Sequence, residues 1–278
     1  MTLTELQALL PAIEDLAHQA GQEILEVYAT DFETHEKADA SPVTLADVRS
    51  QDFIIAGLAR ITPDIPVIAE ENAIPPAAER RGWNACWLVD PLDGTKEFVA
   101  RNGEFSINIG LAVRGRPMLG VVHAPVLGLT WSGVVDPRNG QHSRAWRRTP
   151  KTGEERIIHT AKRAADAPAI ATSRSHGSEL TNEYVAALRE HHGELAVITH
   201  GSAVKLCMVA DGTAAYYVRP RETMEWDSAA GDAIVTAAGG VVVQLDGHTR
   251  PTYNKEHIEN PGYVAAYSPE AWIPLLTH

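Results

Sequence analysis

The chain has 278 residues, is 44% hydrophobic and carries a formal net charge of -12. This length and apolar content suffice for one large domain or two smaller ones with a substantial core. The acidic balance argues against a surface for nucleic-acid polymers, which bind to basic patches or stripes. A small anion is still permitted, because bound cations and local Lys or Arg side chains reverse the sign of a pocket.

The sequence also predicts where the protein resides. No uninterrupted apolar run approaches the roughly 20 residues of a membrane-spanning helix, and we expect no secretory signal at the N-terminus. The two cysteines, Cys86 and Cys207, are predicted to be reduced core thiols. We therefore expect a cytoplasmic protein, with or without peripheral contact with the inner membrane. The sequence indicates no oligomeric state.

The first half combines helices with a β-rich region. Apolar residues at helical spacing predict a helix over 6–28, which Pro11 interrupts or restarts. A second helix is expected after Thr44. From 105 to 135, short β-rich runs separated by turns predict an antiparallel sheet with helices against it.

The second half alternates strands and helices. The predicted elements are strands at 169–172, 195–199, 214–218 and 241–245, and helices at 179–191, 203–210 and 227–238. This order predicts an α/β unit, and the polar stretch from Thr149 to Asp166 suits a boundary. We therefore predict an α+β part at 1–150, which would bind metal, and an α/β part at 151–278, which would complete the active site.

The most informative segment is Asp-Pro-Leu-Asp-Gly-Thr-Lys-Glu-Phe at 90–98. It places Asp90 and Asp93 at the exit of an apolar run that is predicted to be a strand. Carboxylates are ligands of Mg²⁺, which completes its coordination with waters and substrate phosphate. Gly94 permits close approach to an anion, and the N–H groups of a helix starting at Thr95 would point at it. Asp-Pro and Asp-Gly are also ordinary turn formers, and Asp and Thr ordinary helix caps.

Two more acidic elements strengthen the metal hypothesis. Glu70 and Glu71 end a second apolar run, and Asp227 opens a small-residue helix pattern. Acids at the mouths of several elements can converge in the fold.

These segments resemble a known family. WLVDPLDGTKEF at 87–98, Glu70-Glu71 and EWDSAAGDA at 225–233 are similar to the inositol monophosphatase superfamily of Mg²⁺-dependent, Li⁺-sensitive phosphatases. Within it, TKEF at 95–98, SRSH at 173–176 and GSAVKLC at 201–207 resemble the 3'(2'),5'-bisphosphate nucleotidase branch. The likeness runs from about Leu3 to Tyr267, and it implies the layered α-β-α-β-α sandwich of the sugar-phosphatase fold, a fold class of mixed α+β and α/β character.

The resemblance implies two or three Mg²⁺ ions. One ion would be held by Glu70, Asp90 and the backbone carbonyl of Leu92. Another would be held by Asp90, Asp93 and Asp227. Paired metals activate a water on one side of a phosphoryl group and stabilise the leaving oxygen on the other, and Glu70 therefore counts among the catalytic residues.

Asp47 and Thr95 are implied to act as a pair. Taken alone, Asp47 is typical of an exposed helix carboxylate, but the segment at 41–47 resembles a family element whose aspartate pairs with the threonine after the glycine. Asp47 would then orient Thr95, which would position the nucleophilic water or take its proton. Glu71 is either a partner behind the metal ligands or an exposed neighbour of Glu70.

The implied reaction converts adenosine 3',5'-bisphosphate to AMP and phosphate, which clears a by-product of sulfate activation, with activity on the 5'-phosphosulfate relative as an extension. The expected substrate contacts are Asp93, Gly94, Thr95, His176, Ser202, Lys205, Arg219 and Asp227. The ordinary alternatives are a loop histidine for His176, a helix cap for Ser202, a solvated helix residue for Lys205 and a strand-end charge for Arg219. Two other functions stay open: a phosphatase of inositol or other sugar phosphates, and a non-catalytic regulator that binds a phosphorylated ligand.

Overall fold

The computed structural model describes residues 1–36, 42–138, 140–162, 169–174 and 179–271. Its helices are α1 (Leu3–Tyr28), α2 (Leu45–Ile61), α3 (Ala77–Arg80), α4 (Thr95–Val99), α5 (Glu179–His192), α6 (Val204–Ala210) and α7 (Glu225–Ala237). Its strands are β1 (Thr34–Glu36), β2 (Pro42–Thr44), β3 (Val67–Ala69), β4 (Ala85–Asp93), β5 (Ser106–Val113), β6 (Arg116–Ala124), β7 (Leu129–Val134), β8 (Arg144–Thr149), β9 (Glu154–Ile158), β10 (Ala169–Ser173), β11 (Ala196–His200), β12 (Tyr216–Arg219), β13 (Thr223–Met224), β14 (Val241–Gln244), β15 (Glu259–Asn260) and β16 (Tyr263–Ala266).

The larger sheet has seven strands, in the order β3-β4-β5-β6-β7-β8-β9. All neighbours are antiparallel except β3 and β4, which run parallel. Helices α1 and α2 pack on one face and α7 on the other. In β6, Gly120 meets α7 and His123 meets α1, as expected for residues three apart on a strand, whose side chains point to opposite faces.

The smaller sheet has five strands, in the order β11-β10-β12-β16-β14. β10 runs parallel to β11 and β12, whereas β16 is antiparallel to β12 and β14. Helices α6 and α7 contact both sheets, and α5 packs against β12. The layers therefore follow the order helix, sheet, helix, sheet, helix, as predicted.

Two glycines let α7 lie directly on the larger sheet. A Cβ on Gly120 would stand 2.1 Å from the Ala230 carbonyl oxygen, and one on Gly110 would stand 2.8 Å from the Ala230 nitrogen. Because glycine carries no side chain, the helix backbone can approach the strands this closely. The contact fixes α7, and with it Asp227, relative to β5 and β6.

The interruption expected at Pro11 is wrong, because α1 continues through this residue. The boundary proposed at 150 lies in the turn between β8 and β9, which pair in one sheet. The chain thus leaves the larger sheet only after Ile158. Within the described ranges, no helix has both the length and the apolar character needed to span a bilayer.

Candidate active site

The four predicted acidic metal ligands meet in one place. Glu70, Asp90, Asp93 and Asp227 line a single cavity of about 510 Å³, together with Leu92, Gly94 and Thr95. Strand β4 supplies the two aspartates, and the parallel neighbour β3 delivers Glu70, whose backbone N–H donates to the Val89 carbonyl at 3.2 Å. The first turn of α7 supplies Asp227. Elements distant in sequence therefore share one acidic corner.

An irregularity in β4 presents both of its aspartates. The register with β5 shifts between Asp90 and Asp93, and such a bulge bends a strand and redirects its side chains. The bend is held locally, because the Leu92 N–H donates to Asp90 Oδ1 at 3.0 Å. The Ser50 hydroxyl in α2 donates to the Pro91 carbonyl at 2.8 Å. The proline, which has no N–H to offer a ladder, sits where the pairing is broken.

The carboxylates of the acidic corner repel one another, and this repulsion favours binding of a cation. Burial raises the pKa of Asp90 well above its ordinary value, and the charges of Glu70, Asp93 and Asp227 raise it further. Burial, with the charge of Asp93, also raises the pKa of Asp227 to about 6. Buried like charges of this kind are relieved by protonation or by a bound cation.

The donor set fits a divalent cation in ligand type and charge, because its side chains are carboxylates whose mutual repulsion a cation relieves. Asp93 Oδ2 accepts from Asn108 Nδ2 at 3.1 Å and from the Ala203 N–H at 2.5 Å. Asp227 Oδ2 accepts from the Thr223 hydroxyl and the Met224 N–H. Among the residues that the structure describes, no group of three His, Cys, Asp or Glu side chains could hold a metal ion in its present arrangement. Ligand type and charge therefore fit a divalent cation, whereas the orientations of the described carboxylates do not form a coordination site.

Asp47 and Thr95 are in contact. Thr95 Oγ1 lies 3.2 Å from Asp47 Oδ1 and 3.3 Å from the Leu92 carbonyl, so its single proton has two acceptors. Asp47 is only 1% exposed, and the interpretation as an exposed helix carboxylate is therefore wrong. Thr44 donates to Asp47 Oδ2 from both its N–H and its hydroxyl, at 2.7 Å each. Burial raises the Asp47 pKa, and the catalytic role of the pair stays a prediction.

Gly94 connects the acidic strand to α4. Its φ of +95° lies in the left-handed region, where glycine is favoured over residues with a side chain. The turn places Thr95 at the first position of the helix and beside the cavity. Gly94 and Thr95 thus stand where substrate contacts were expected.

Three more of the predicted substrate residues line the same cavity: Ser202, Lys205 and Arg219. Lys205 is only 3% exposed, so the interpretation as a solvated helix residue is wrong. Its Nζ donates to the Ser202 carbonyl and lies 5.3 Å from the centre of the Tyr217 ring. Burial lowers the Lys205 pKa to about 8. The N-cap residue of α6 is Ala203, so Ser202 does not occupy the cap position. His176 lies outside the described residues.

A buried network behind Asp227 escaped the sequence analysis. Glu225, fully buried, accepts from the Lys255 N–H at 3.1 Å and from Lys255 Nζ at 2.5 Å. Lys255 Nζ also donates to Asn260 Oδ1 at 2.7 Å, and Asn260 Nδ2 donates to the Ser228 hydroxyl at 2.9 Å. These bonds anchor the turn of α7 that carries Asp227. The only sequence signal was the glutamate two residues before this aspartate.

The chain is similar to known proteins over most of its length. The model of the inositol monophosphatase family matches residues 5–274 of the chain. The chain belongs to the inositol monophosphatase family. Within the family, the 3'(2'),5'-bisphosphate nucleotidase CysQ of Salmonella typhimurium is 42% identical over 258 residues, covering 92% of this chain and 98% of the relative. The CysQ of Haemophilus influenzae is 30% identical and covers 94% of each chain.

Solved structures of the inositol monophosphatase family share the fold. CysQ from Bacteroides thetaiotaomicron has a TM-score of 0.78 at 37% identity, over 92% of this chain and 96% of the other. An inositol monophosphatase of Thermotoga maritima has a TM-score of 0.74 at 23% identity, over 94% of each chain, and supports the fold alone. The predicted family and the predicted layered fold are confirmed.

Proposed function

We propose that this protein is a Mg²⁺-dependent 3'(2'),5'-bisphosphate nucleotidase that converts adenosine 3',5'-bisphosphate to AMP and phosphate. The observation that carries the proposal is that acids and cations share one cavity: Asp90 and Asp93 on one element, Lys205 and Arg219 on others. The likeness to the CysQ nucleotidases over most of the chain supports the same substrate.

The two phosphates of the substrate would bind to different groups in the cavity, one near the acidic metal ligands and the other near the cationic side chains. Lys205 and Arg219 both lower the pKa of Asp93, against a larger rise from burial, so their charges act across the cavity on the acidic corner. The phosphate to be cleaved would lie at that corner with the metal. The uncleaved phosphate would meet the two cations. An inositol monophosphate has no second phosphate for them, and the arrangement therefore favours a bisphosphate.

The chain's own residues would prepare the attacking water. Divalent ions held by Glu70, Asp90, the Leu92 carbonyl, Asp93 and Asp227 would supply a lowered water pKa and neutralise phosphate charge. Thr95 lines the cavity and contacts the buried Asp47. Thr95 Oγ1 would orient the water, and the proton would pass toward Asp47 Oδ1. A carboxylate with a raised pKa is suited to accept it near neutrality.

A phosphate-release panel tests the proposal. Adenosine 3',5'-bisphosphate, its 5'-phosphosulfate relative, inositol 1-phosphate and fructose 1,6-bisphosphate would be compared with Mg²⁺, with Mg²⁺ plus Li⁺, and with chelator. We expect the fastest release from the bisphosphate nucleotide, inhibition by Li⁺ and loss with chelator. Faster release from the sugar esters would instead indicate a sugar-phosphate phosphatase. Binding of the nucleotide without release would indicate a regulator.

In the cell, this reaction would remove the by-product of sulfate activation. The cytoplasmic location predicted from the sequence suits that role and stays a prediction.

A further inference from the structure

An ion pair outside the cavity links the segment that leads into the larger sheet with the end of a strand of the smaller sheet. Glu104 lies in the segment between α4 and β5, and Arg174 directly follows β10. The guanidinium donates from Nε to Glu104 Oε2 and from Nη2 to Glu104 Oε1, each at 2.6 Å. Such two-pronged Arg–carboxylate pairs have a fixed geometry as well as strength. We call this pair the clamp.

The clamp also holds the end of β11. Glu104 Oε2 accepts from the Gly201 N–H at 2.8 Å, and Arg174 Nη2 donates to the Thr199 carbonyl at 3.2 Å. The backbones themselves are in contact, because a Cβ on Gly201 would lie 2.5 Å from the Glu104 carbonyl oxygen. The segment that follows β11 is therefore held against the segment between α4 and β5.

The fastened segment is the loop 201–203, and each of its three residues is bonded to a side chain. Gly201 donates to Glu104 at 2.8 Å, Ser202 accepts from Lys205, and Ala203 donates to Asp93 Oδ2 at 2.5 Å. Ser202 has a φ of +52°, a left-handed conformation that costs free energy in a residue with a side chain and persists only where its surroundings hold it. The loop is thus held in one strained conformation beside the cavity.

We propose that the clamp, Glu104 with Arg174, is a positioning pair that fixes the binding of the uncleaved phosphate. This inference rests on the proposed function. The clamp would hold loop 201–203 so that Lys205, bonded to Ser202, keeps its place in the cavity. Neither member of the clamp lines that cavity, and Asp93 has a second donor in Asn108. Loosening the clamp should therefore weaken binding of a bisphosphate more than the chemistry at the acids.

Steady-state kinetics at saturating Mg²⁺ test this proposal by comparing a substrate with two phosphates and a substrate with one. For Glu104→Gln and Arg174→Met we expect the KM for adenosine 3',5'-bisphosphate to rise about tenfold, equivalent to about 1.4 kcal/mol, with little change in kcat. Both constants for p-nitrophenyl phosphate, which has one phosphate, should stay near wild type. Arg174→Lys keeps the charge without the fork and should fall between. Arg81→Met is the matched control, because Arg81 pairs with Glu256 at 3.1 Å on an exposed surface. Equal losses on both substrates would overturn the proposal.

Amide hydrogen exchange gives a readout that does not depend on turnover. The amides of Gly201 and Ala203 should exchange faster in Glu104→Gln than in wild type, and Arg81→Met should leave them unchanged. Unchanged exchange in Glu104→Gln would refute the clamp whatever the kinetics show. If the wild-type protein released no phosphate from the bisphosphate nucleotide, the proposed function would fail, and exchange would still decide whether the clamp holds the loop.

Discussion

Because His123 is buried, we expect the free energy of unfolding to fall in acid. Its ring is 2% exposed between β6 and α1, and a Cβ placed on Gly21 of α1 would stand only 2.7 Å from it. Nδ1 lies 2.8 Å from the Thr130 hydroxyl, and the His18 ring packs edge-on at 5.5 Å between centroids. There is little room for the water that a charged imidazole would recruit. Burial, with the charge of His18, lowers the His123 pKa from 6.5 to about 4.

The sign and size of the effect follow from proton linkage. Between pH 6.5 and about 4 the unfolded chain binds a proton at this histidine that the folded chain does not. The free energy of unfolding therefore falls as the pH falls through this window. At about 1.4 kcal/mol per pKa unit, the full loss is about 3 kcal/mol. The contribution is complete above pH 6.5, where both states are neutral at this position.

Urea unfolding of wild type and His123→Asn, with chelator at pH 7.5, 6, 5 and 4.5, measures this term. Asparagine has no charge in this range and keeps a polar atom near Thr130, so its packing cost is constant with pH. Titration of other groups is common to both proteins and cancels in the difference. We expect the stability gap between the two proteins to narrow toward acid. His257 is exposed, and we expect the stability of His257→Asn to follow that of wild type at each pH. Parallel curves for wild type and His123→Asn would refute the reasoning.

Three further substitutions separate chemistry from folding. Asp93→Asn should lower kcat by orders of magnitude with little change in thermal unfolding, because it weakens a predicted metal ligand and removes no core contact; near-normal kcat would contradict the assignment. Gly120→Ala should cost about 3 kcal/mol in urea unfolding, because its Cβ would stand 2.1 Å from the Ala230 carbonyl oxygen, whereas Gly82→Ala, whose Cβ would lie 3.8 Å from the Glu79 carbonyl oxygen, should be nearly neutral. Lys255→Met should cost about 3 kcal/mol in the same assay, since it leaves a buried carboxylate without its cation, and an unchanged midpoint would exclude that role.

The elements with strong periodicity were predictable. Helix α7 and strands β5 and β6 have long apolar patterns with clear turn residues between them. Strand β16 was not predicted from the sequence, although it pairs with β12 and β14 within the smaller sheet. Strand β9 was interpreted as part of a polar boundary, since three of its five residues are charged. Four of the five are exposed in the structure, and charged, exposed residues are common at a sheet edge.

Pro11 shows how tertiary packing overrides a local signal. A proline inside a helix removes one hydrogen bond and strains the preceding turn. Leu10 and Ile13 on either side are buried in the main core, and Pro11 itself is exposed. Burial of such side chains contributes about 1.5–3 kcal/mol each, which offsets the cost and keeps α1 continuous.

The acidic corner was predictable from the sequence, and the contacts that support it were not. Asp90, Asp93 and Asp227 stand in segments whose residues and likeness to a family indicate metal chemistry. The pairs that fix them join distant parts of the chain: Glu104 and Arg174 are 70 residues apart, and Glu225 and Lys255 are 30 apart. Single side-chain pairs of this kind have no period and no local pattern, so only the fold reveals them. The burial of Lys205 is a further example.

One diffraction experiment tests the central claim most directly. Crystals grown with Mn²⁺ and phosphate would be measured at a wavelength where manganese scatters anomalously. The account predicts anomalous peaks in the cavity, each ligated by carboxylates of Glu70, Asp90, Asp93 or Asp227, with a phosphate bound against them. Metal bound only at other surfaces, with phosphate elsewhere, would contradict it.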